Sequence, residues 1–218
     1  MSPSEVMTAV WGPLGWMTLH SVSTMYPERP SQSEKDLIVT WLGLFTETIT
    51  CPHCRDHFRS MRRAYEARFP GFLDSRQAFA TFAFRAHNVV NARLSKPVYA
   101  TMEECMNVLR GNLKTQTAQG YRISYVNHIM RYWSTIQDTT GIAALKKVIE
   151  MKKIEIDYFT PRDTKFEVSL VDEGVVIPRS WVEITPSGQV PETPRPSLRM
   201  TNTSRAGFRM VGGRIRLF

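Results

Sequence analysis

The sequence predicts a mainly α protein: a four-helix bundle with a short fifth helix, then a smaller α+β region, then an extended C-terminal arm. Three observations carry this. The first half repeats apolar residues at steps of three and four, and each run is opened by a capping residue or a proline. The stretch 111–122 is polar and turn-rich, which divides a domain at 1–112 from a region at 120–184. In 185–218, Pro186, Pro191, Pro194 and Pro196 are interspersed with Ser, Thr and Gly, the composition of an extended arm.

Gly12-Pro13 is expected to open the first helix, because proline is tolerated in a first turn, where its missing N–H has no partner anyway. Trp16, Leu19, His20 and Ser23 then share a face, and the helix stops near Tyr26-Pro27. Ser33 is read as the cap of the second, whose stripe is Leu37, Ile38, Trp41, Leu42, Phe45 and Ile49. Pro52 starts the third and turns Phe58, Met61 and Tyr65 inward. The fourth runs from about Ser75 to Leu94, with Phe79, Phe82, Ala83, Ala86, His87, Val90 and Asn91 on one side. Thr101, with Glu104 three residues on, caps the fifth, which aligns Met102, Cys105, Met106 and Leu109. Val126, Ile129, Met130, Trp133 and Ile136 mark a further helix, and Ile142, Leu145, Val148 and Ile149 a shorter one. Phe166, Val168 and Leu170 alternate as a strand does, Asp172-Glu173-Gly174 is a turn into Val175–Ile177, and Trp181–Ile184 is β-like.

The formal charge of +8 is uneven. Residues 1–114 hold 13 basic and 10 acidic side chains, residues 115–218 hold 15 and 10, and Thr193 to Phe218 carries six Arg and no acid. That arm is suited to an anionic surface, or is simply solvated. A hydrophobic content of 42% excludes wholesale disorder. No run reaches the length of a membrane span, and the N-terminus lacks the basic start and apolar segment of a secretory signal. Three cysteines in 218 residues are too few for a disulfide-stapled scaffold, so they point to chemistry or metal binding.

The chemistry centres on Cys51-Pro52-His53-Cys54. At a helix start two thiols reach disulfide distance, and the helix N-terminus favours thiolate. Three readings fit: a thioredoxin-like centre, a zinc site drawing on His53, His57 or Cys105, and a flavin-coupled dithiol. The first needs a buried strand before the motif, and here the periodicity is helical. Structural zinc takes a second ligand pair from a separate segment. Two further segments bear on the third reading. Trp16 and His20 sit four residues apart on one helix face, and His87, Asn88 and Asn91 occupy adjacent helical positions before Lys96-Pro97. Amides and imidazoles on an apolar face need hydrogen-bond partners, and a polar ring system supplies them.

Taken together, W-G-P-x-x-W-x-x-L-H, C-x-x-C and H-N-x-V-N-x-x-L-x-K-P resemble the Erv/ALR family of FAD-linked sulfhydryl oxidases, over roughly residues 10–112. The short chain with an extra C-terminal region looks like members encoded by large DNA viruses, which would put it in the host cytoplasm or the virion. The resemblance implies FAD at the mouth of the bundle, surrounded by Gly12, Trp16, His20, His87, Asn88, Asn91 and Lys96, with Tyr99 against the adenine end. It implies that Cys51 and Cys54 form the flavin-proximal disulfide. Cys51 would meet the substrate through a mixed disulfide, and Cys54 would face the flavin. Dioxygen would be the final acceptor, giving hydrogen peroxide.

The sequence departs from the family in having no second structural cysteine pair, no shuttle pair and no Trp-rich end after the last helix. Electrons would then come directly from a protein dithiol client or a separate dithiol carrier. Cys105 has no partner and is expected to pack as a small hydrophobe. The resemblance also implies a homodimer through the first two helices. Val39 and Leu44 give the second helix more apolar surface than one stripe needs, and either a second copy or the residues after 120 would cover it. The rival to the enzyme is a non-catalytic structural or assembly module, or a zinc-binding CxxC domain, that binds through its basic arm.

Overall fold

The computed structural model describes residues 3–183, with side chains from residue 11. Its helices are α1 (Pro3–Met25), α2 (Gln32–Thr48), α3 (Pro52–Arg68), α4 (Arg76–Arg93), α5 (Met102–Asn112), α6 (Ala118–Ser134), α7 (Thr139–Ile154) and the single turn α8 (Arg179–Val182); a π-helical turn, Glu155–Phe159, prolongs α7. The caps show why the boundaries fall there. Ser75 and Thr101 accept from the backbone N–H three residues on, at Ala78 and Glu104. Ser31, not Ser33, caps α2, because only Ser31 has a glutamate three residues later to close a reciprocal capping box with Glu34. α1 begins well before Gly12-Pro13, and Pro13 lies inside it.

α1 to α4 enclose a core of Leu19, Val22, Trp41, Phe45, Phe58, Phe79 and Phe82, all buried. The polar turn after α5 separates helices in sequence but not in packing. Tyr125, Ile129 and Trp133 of α6 and Val148 and Met151 of α7 belong to the same core. α6 lies on α1 and α7 on α2. At Gly15 of α1 the Tyr125 ring comes to within 3.4 Å of where a Cβ would stand. Arg122 of α6 is fully buried: it meets the Glu155 carboxylate at 3.0 and 3.1 Å and donates to Ser21 Oγ of α1 at 2.7 Å. Breaking such a pair leaves an uncompensated charge, so this node ties α6 and α7 firmly to α1.

The expected α+β region is a correction. No strand occurs among the described residues. Residues 162–178 form a segment without helix or strand, bent at Phe166, that lies on helices. Phe166 is fully buried against Met17, Ala80, Phe84 and Met102, and Val168 and Leu170 are half-buried. Period-two burial therefore arises here from a helical surface beneath extended chain, and the residues at 181–182 belong to α8. The Gln77 amide of α4 holds Val171 at both backbone groups, 2.9 and 2.7 Å. Arg85 donates to the carbonyls of Glu173 and Gly174 at 2.8 and 3.3 Å. Gly174 has φ +74°, which suits glycine, and its N–H donates to the Asp172 carboxylate, but no backbone-bonded turn forms at 172–174. Among the described residues no helix is long and apolar enough to cross a membrane. The basic arm lies outside the described residues.

Candidate functional site

The site begins where α3 starts. Cys51 is the N-cap, its sulfur accepts from the Cys54 N–H at 3.3 Å, and Pro52 occupies the first turn. Cys51 and Cys54 form a disulfide with Cα atoms 5.2 Å apart. The first turn of α3 carries no acid, and its unpaired N–H groups favour negative charge, so a thiolate released here is stabilised. Cys54 packs against the core, one turn before Phe58.

A set of aromatic and imidazole groups links Phe58, one turn after Cys54 on α3, to α1 and α4. Trp16 meets Phe58 at 6.4 Å between ring centroids and stacks on His87 at 4.1 Å, with planes 8° apart. His87 in turn meets Tyr99 edge-on at 5.3 Å. His20 donates to or accepts from His87, Nε2 to Nδ1 at 3.1 Å. Burial pulls the His20 pKa down to about 3 and holds His87 well below the usual imidazole range, with His20 and Lys96 adding repulsion at His87. Both rings are therefore neutral at physiological pH.

The structure brings most of the expected residues into this neighbourhood. Trp16, His20, His87 and Tyr99 touch one another in sequence, and Asn91 is buried on the same helix, one turn beyond His87. Asn88 has a further task within the protein. Its amide donates to the Tyr99 carbonyl and accepts from the Tyr99 N–H, both at 2.9 Å, and so holds Tyr99 in place. Lys96 is exposed, just past the end of α4, where its backbone N–H returns to the Asn91 carbonyl at 2.9 Å. A Cβ at Gly12 would meet open space. Cys105 is fully buried beside Met102 and Met106, with its sulfur 3.8 Å from His20 Nε2, and burial pushes its thiol up to about 12. It is packed and un-ionised, as a small hydrophobe would be.

These residues fit a flat, polar ring system such as FAD. The Nδ1 of His20 and the Trp11 Nε1 are buried without a partner among the described residues. Flat rings, neutral imidazoles, an amide and an exposed lysine offer stacking, hydrogen bonds and a cation for phosphate. The metal alternative finds one cluster among the described residues, His20, His87 and Cys105, and it does not include the CxxC. Two residues near the disulfide escaped the motif reading. Trp133 was legible only as part of an apolar stripe, and Arg55 sits in the first turn of α3 without a pattern to mark it. Their contacts with the residues before Cys51 are tertiary.

The Erv1 / Alr family model matches residues 14–110. The FAD-linked sulfhydryl oxidase of African swine fever virus (isolate Tick/Malawi/Lil 20-1/1983) is 33% identical over 93 residues, which are 43% of this chain and 75% of that protein. FAD-linked sulfhydryl oxidase ERV2 of Saccharomyces cerevisiae is 30% identical over 98 residues, 45% of this chain and 46% of its own. The ERV1 enzyme of Arabidopsis thaliana, also named a FAD-linked sulfhydryl oxidase, is 29% identical over 84 residues, 38% of this chain and 42% of its own. No solved structure matches. The matched span contains both the disulfide and the Trp16–His87 stack, and on this sequence evidence the chain belongs to the Erv1 / Alr family.

Proposed function

We propose that the chain oxidises protein dithiols through Cys51 and Cys54, with FAD held by Gly12, Trp16, His20, His87, Asn91, Lys96 and Tyr99, and with Asn88 positioning Tyr99. The activity follows from the family: the chain is a flavin-dependent thiol oxidase that forms disulfides and uses dioxygen as acceptor. The observation that carries the site assignment is the line of ring contacts from Phe58, one turn after Cys54 on α3, through Trp16 to the buried His20–His87 pair.

A client thiolate attacks the Cys51 sulfur. The Cys51–Cys54 bond breaks, a mixed disulfide forms at Cys51, and Cys54 leaves as thiolate at the N-terminus of α3. The second client thiolate displaces Cys51, so the client leaves as a disulfide and the enzyme holds a reduced pair. Bound FAD supplies the two-electron chemistry that returns the pair to the disulfide and delivers the electrons to dioxygen. Packing of half-buried Cys54 against the core limits the water around its thiolate, and the neutral histidines offer hydrogen bonds without a competing positive charge. The client is a dithiol protein or a separate dithiol carrier, and the basic residues of 185–218 are proposed to meet an anionic surface. Of the two residues that give α2 its apolar excess, Leu44 is buried within this chain, where α7 lies on α2, whereas Val39 stays exposed and is open to a second copy.

The test is the pair of single variants Cys51→Ser and Cys54→Ser. Each should abolish oxygen consumption with a dithiol while leaving the protein yellow. Cys51→Ser alone should show a long-wavelength absorbance from the Cys54 thiolate beside the flavin. Full turnover in Cys54→Ser would refute the assigned roles.

A further inference from the structure

Trp133 lies outside residues 14–110, on α6, yet it reaches the chain that leads into the disulfide. α2 ends at Thr48, three residues before Cys51. The Trp133 Nε1–H donates to the Thr48 carbonyl at 2.9 Å. Arg55, next to Cys54, donates from Nη1 to the Ile49 carbonyl at 3.3 Å, and its guanidinium stands over the Trp133 ring at 5.7 Å. The last carbonyls of a helix lack intrahelical partners and carry the negative end of its dipole. Here two donors take up two such carbonyls immediately before the redox turn. Other titratable and charged groups on the neighbouring elements include His53 of α3, His128 and Arg131 of α6, and Glu47 of α2, the last paired with Arg59 at 2.9 Å and Lys147 of α7 at 3.7 Å, with Asp56 also on Arg59.

We propose that Trp133 is a positioning residue for the thiol chemistry: with Arg55 it fixes and partly neutralises the Thr48 and Ile49 carbonyls, so that the reduced Cys51 sulfur is held in a field that favours thiolate. The helices beyond the family domain thereby tune the reactivity of its disulfide. This rests on reading Cys51 as the sulfur that meets the client.

Trp133→Phe in the FAD-loaded full chain removes the N–H and keeps a ring under Arg55. Two readouts apply: the pH midpoint for alkylation of reduced Cys51 by iodoacetamide, followed by peptide mass spectrometry, and the equilibrium of the Cys51–Cys54 couple against glutathione. The midpoint should move up. The couple should shift about threefold to tenfold toward the disulfide, the range expected for one net hydrogen bond to a group that stabilises the reduced form. Arg55→Gln should move both readouts in the same direction. Val148→Ala loosens α7 in the core without touching Thr48, so it should lower the melting temperature and leave both unchanged. A wild-type midpoint and equilibrium in Trp133→Phe would overturn the proposal, since packing alone would then explain the residue. If that variant does not fold, wild-type values in Arg55→Gln overturn it equally. Alkylation needs neither flavin nor turnover, so a colourless, inactive wild type would defeat the functional reading and leave this measurement intact.

Discussion

His20 and His87 share a single hydrogen bond between α1 and α4, Nε2 to Nδ1 at 3.1 Å, with both rings buried. One ring donates and the other accepts, so each fixes the tautomer of its partner. Charging either ring would place a cation in the core and break this arrangement.

A pH dependence follows. In the unfolded chain these histidines take up protons near pH 6.5. In the folded chain burial lowers His20 to about 3 and His57 to about 4, and His87 is lowered well below its ordinary value. Between those limits the unfolded state binds more protons, so stability is fully present above about pH 6.5 and is lost as pH falls toward 4 and below. Melting temperatures across pH 7 to 4 should fall steadily. A flat profile would contradict neutral buried histidines.

Asn91→Leu keeps the side-chain size and removes the amide. Bound FAD should be lost, and the melting temperature should fall by the share the ligand contributes. Asn88→Leu should do both and also cost about 1–3 kcal/mol without ligand, because the Tyr99 backbone loses two partners. Flavin absorbance and melts of FAD-free protein separate the two variants.

Cys105→Ala should keep dithiol oxidase activity and cost about 1–2 kcal/mol at most, since the thiol is packed and un-ionised. A large loss of turnover, or a Cys105 disulfide in non-reducing peptide maps, would instead make it part of the electron path.

Arg122→Met should destabilise the chain by about 3–5 kcal/mol, because Glu155 is left buried without its cation. Adding Glu155→Gln should recover most of that loss. Denaturant unfolding of the single and double variants checks the coupling, and equal losses in both would show that the pair matters only through its volume.

Much of this was legible beforehand, because helix starts are written in local chemistry. Ser75, Thr101 and Pro52 each announced a boundary through a single backbone-facing atom or a missing N–H. The grouping of Trp16, His20, His87 and Asn91 was equally open to reading, since helical spacing puts each set on one face. What escaped was decided by distant partners. Phe166 and Leu170 alternate like strand residues, yet their partner is a helical surface that no local pattern names. Asn88 read as a cofactor contact, and sequence spacing did not show that its amide also braces Tyr99, a pairing fixed by how the chain turns after α4. Trp133 looked like any core residue of an amphipathic stripe, and only packing shows that its N–H reaches Thr48.

Gln77 and Asn88 stand three turns apart on α4, about 16 Å along its axis, and each amide grips both main-chain groups of one extended residue, Val171 and Tyr99. A primary amide presents a donor and an acceptor side by side, as a peptide unit of a neighbouring strand does. α4 thus serves as a scaffold on which extended chain is satisfied one residue at a time. At those two positions the extended backbone offers no free pair of groups to a foreign β-strand, which removes a template for edge-to-edge association without building a sheet.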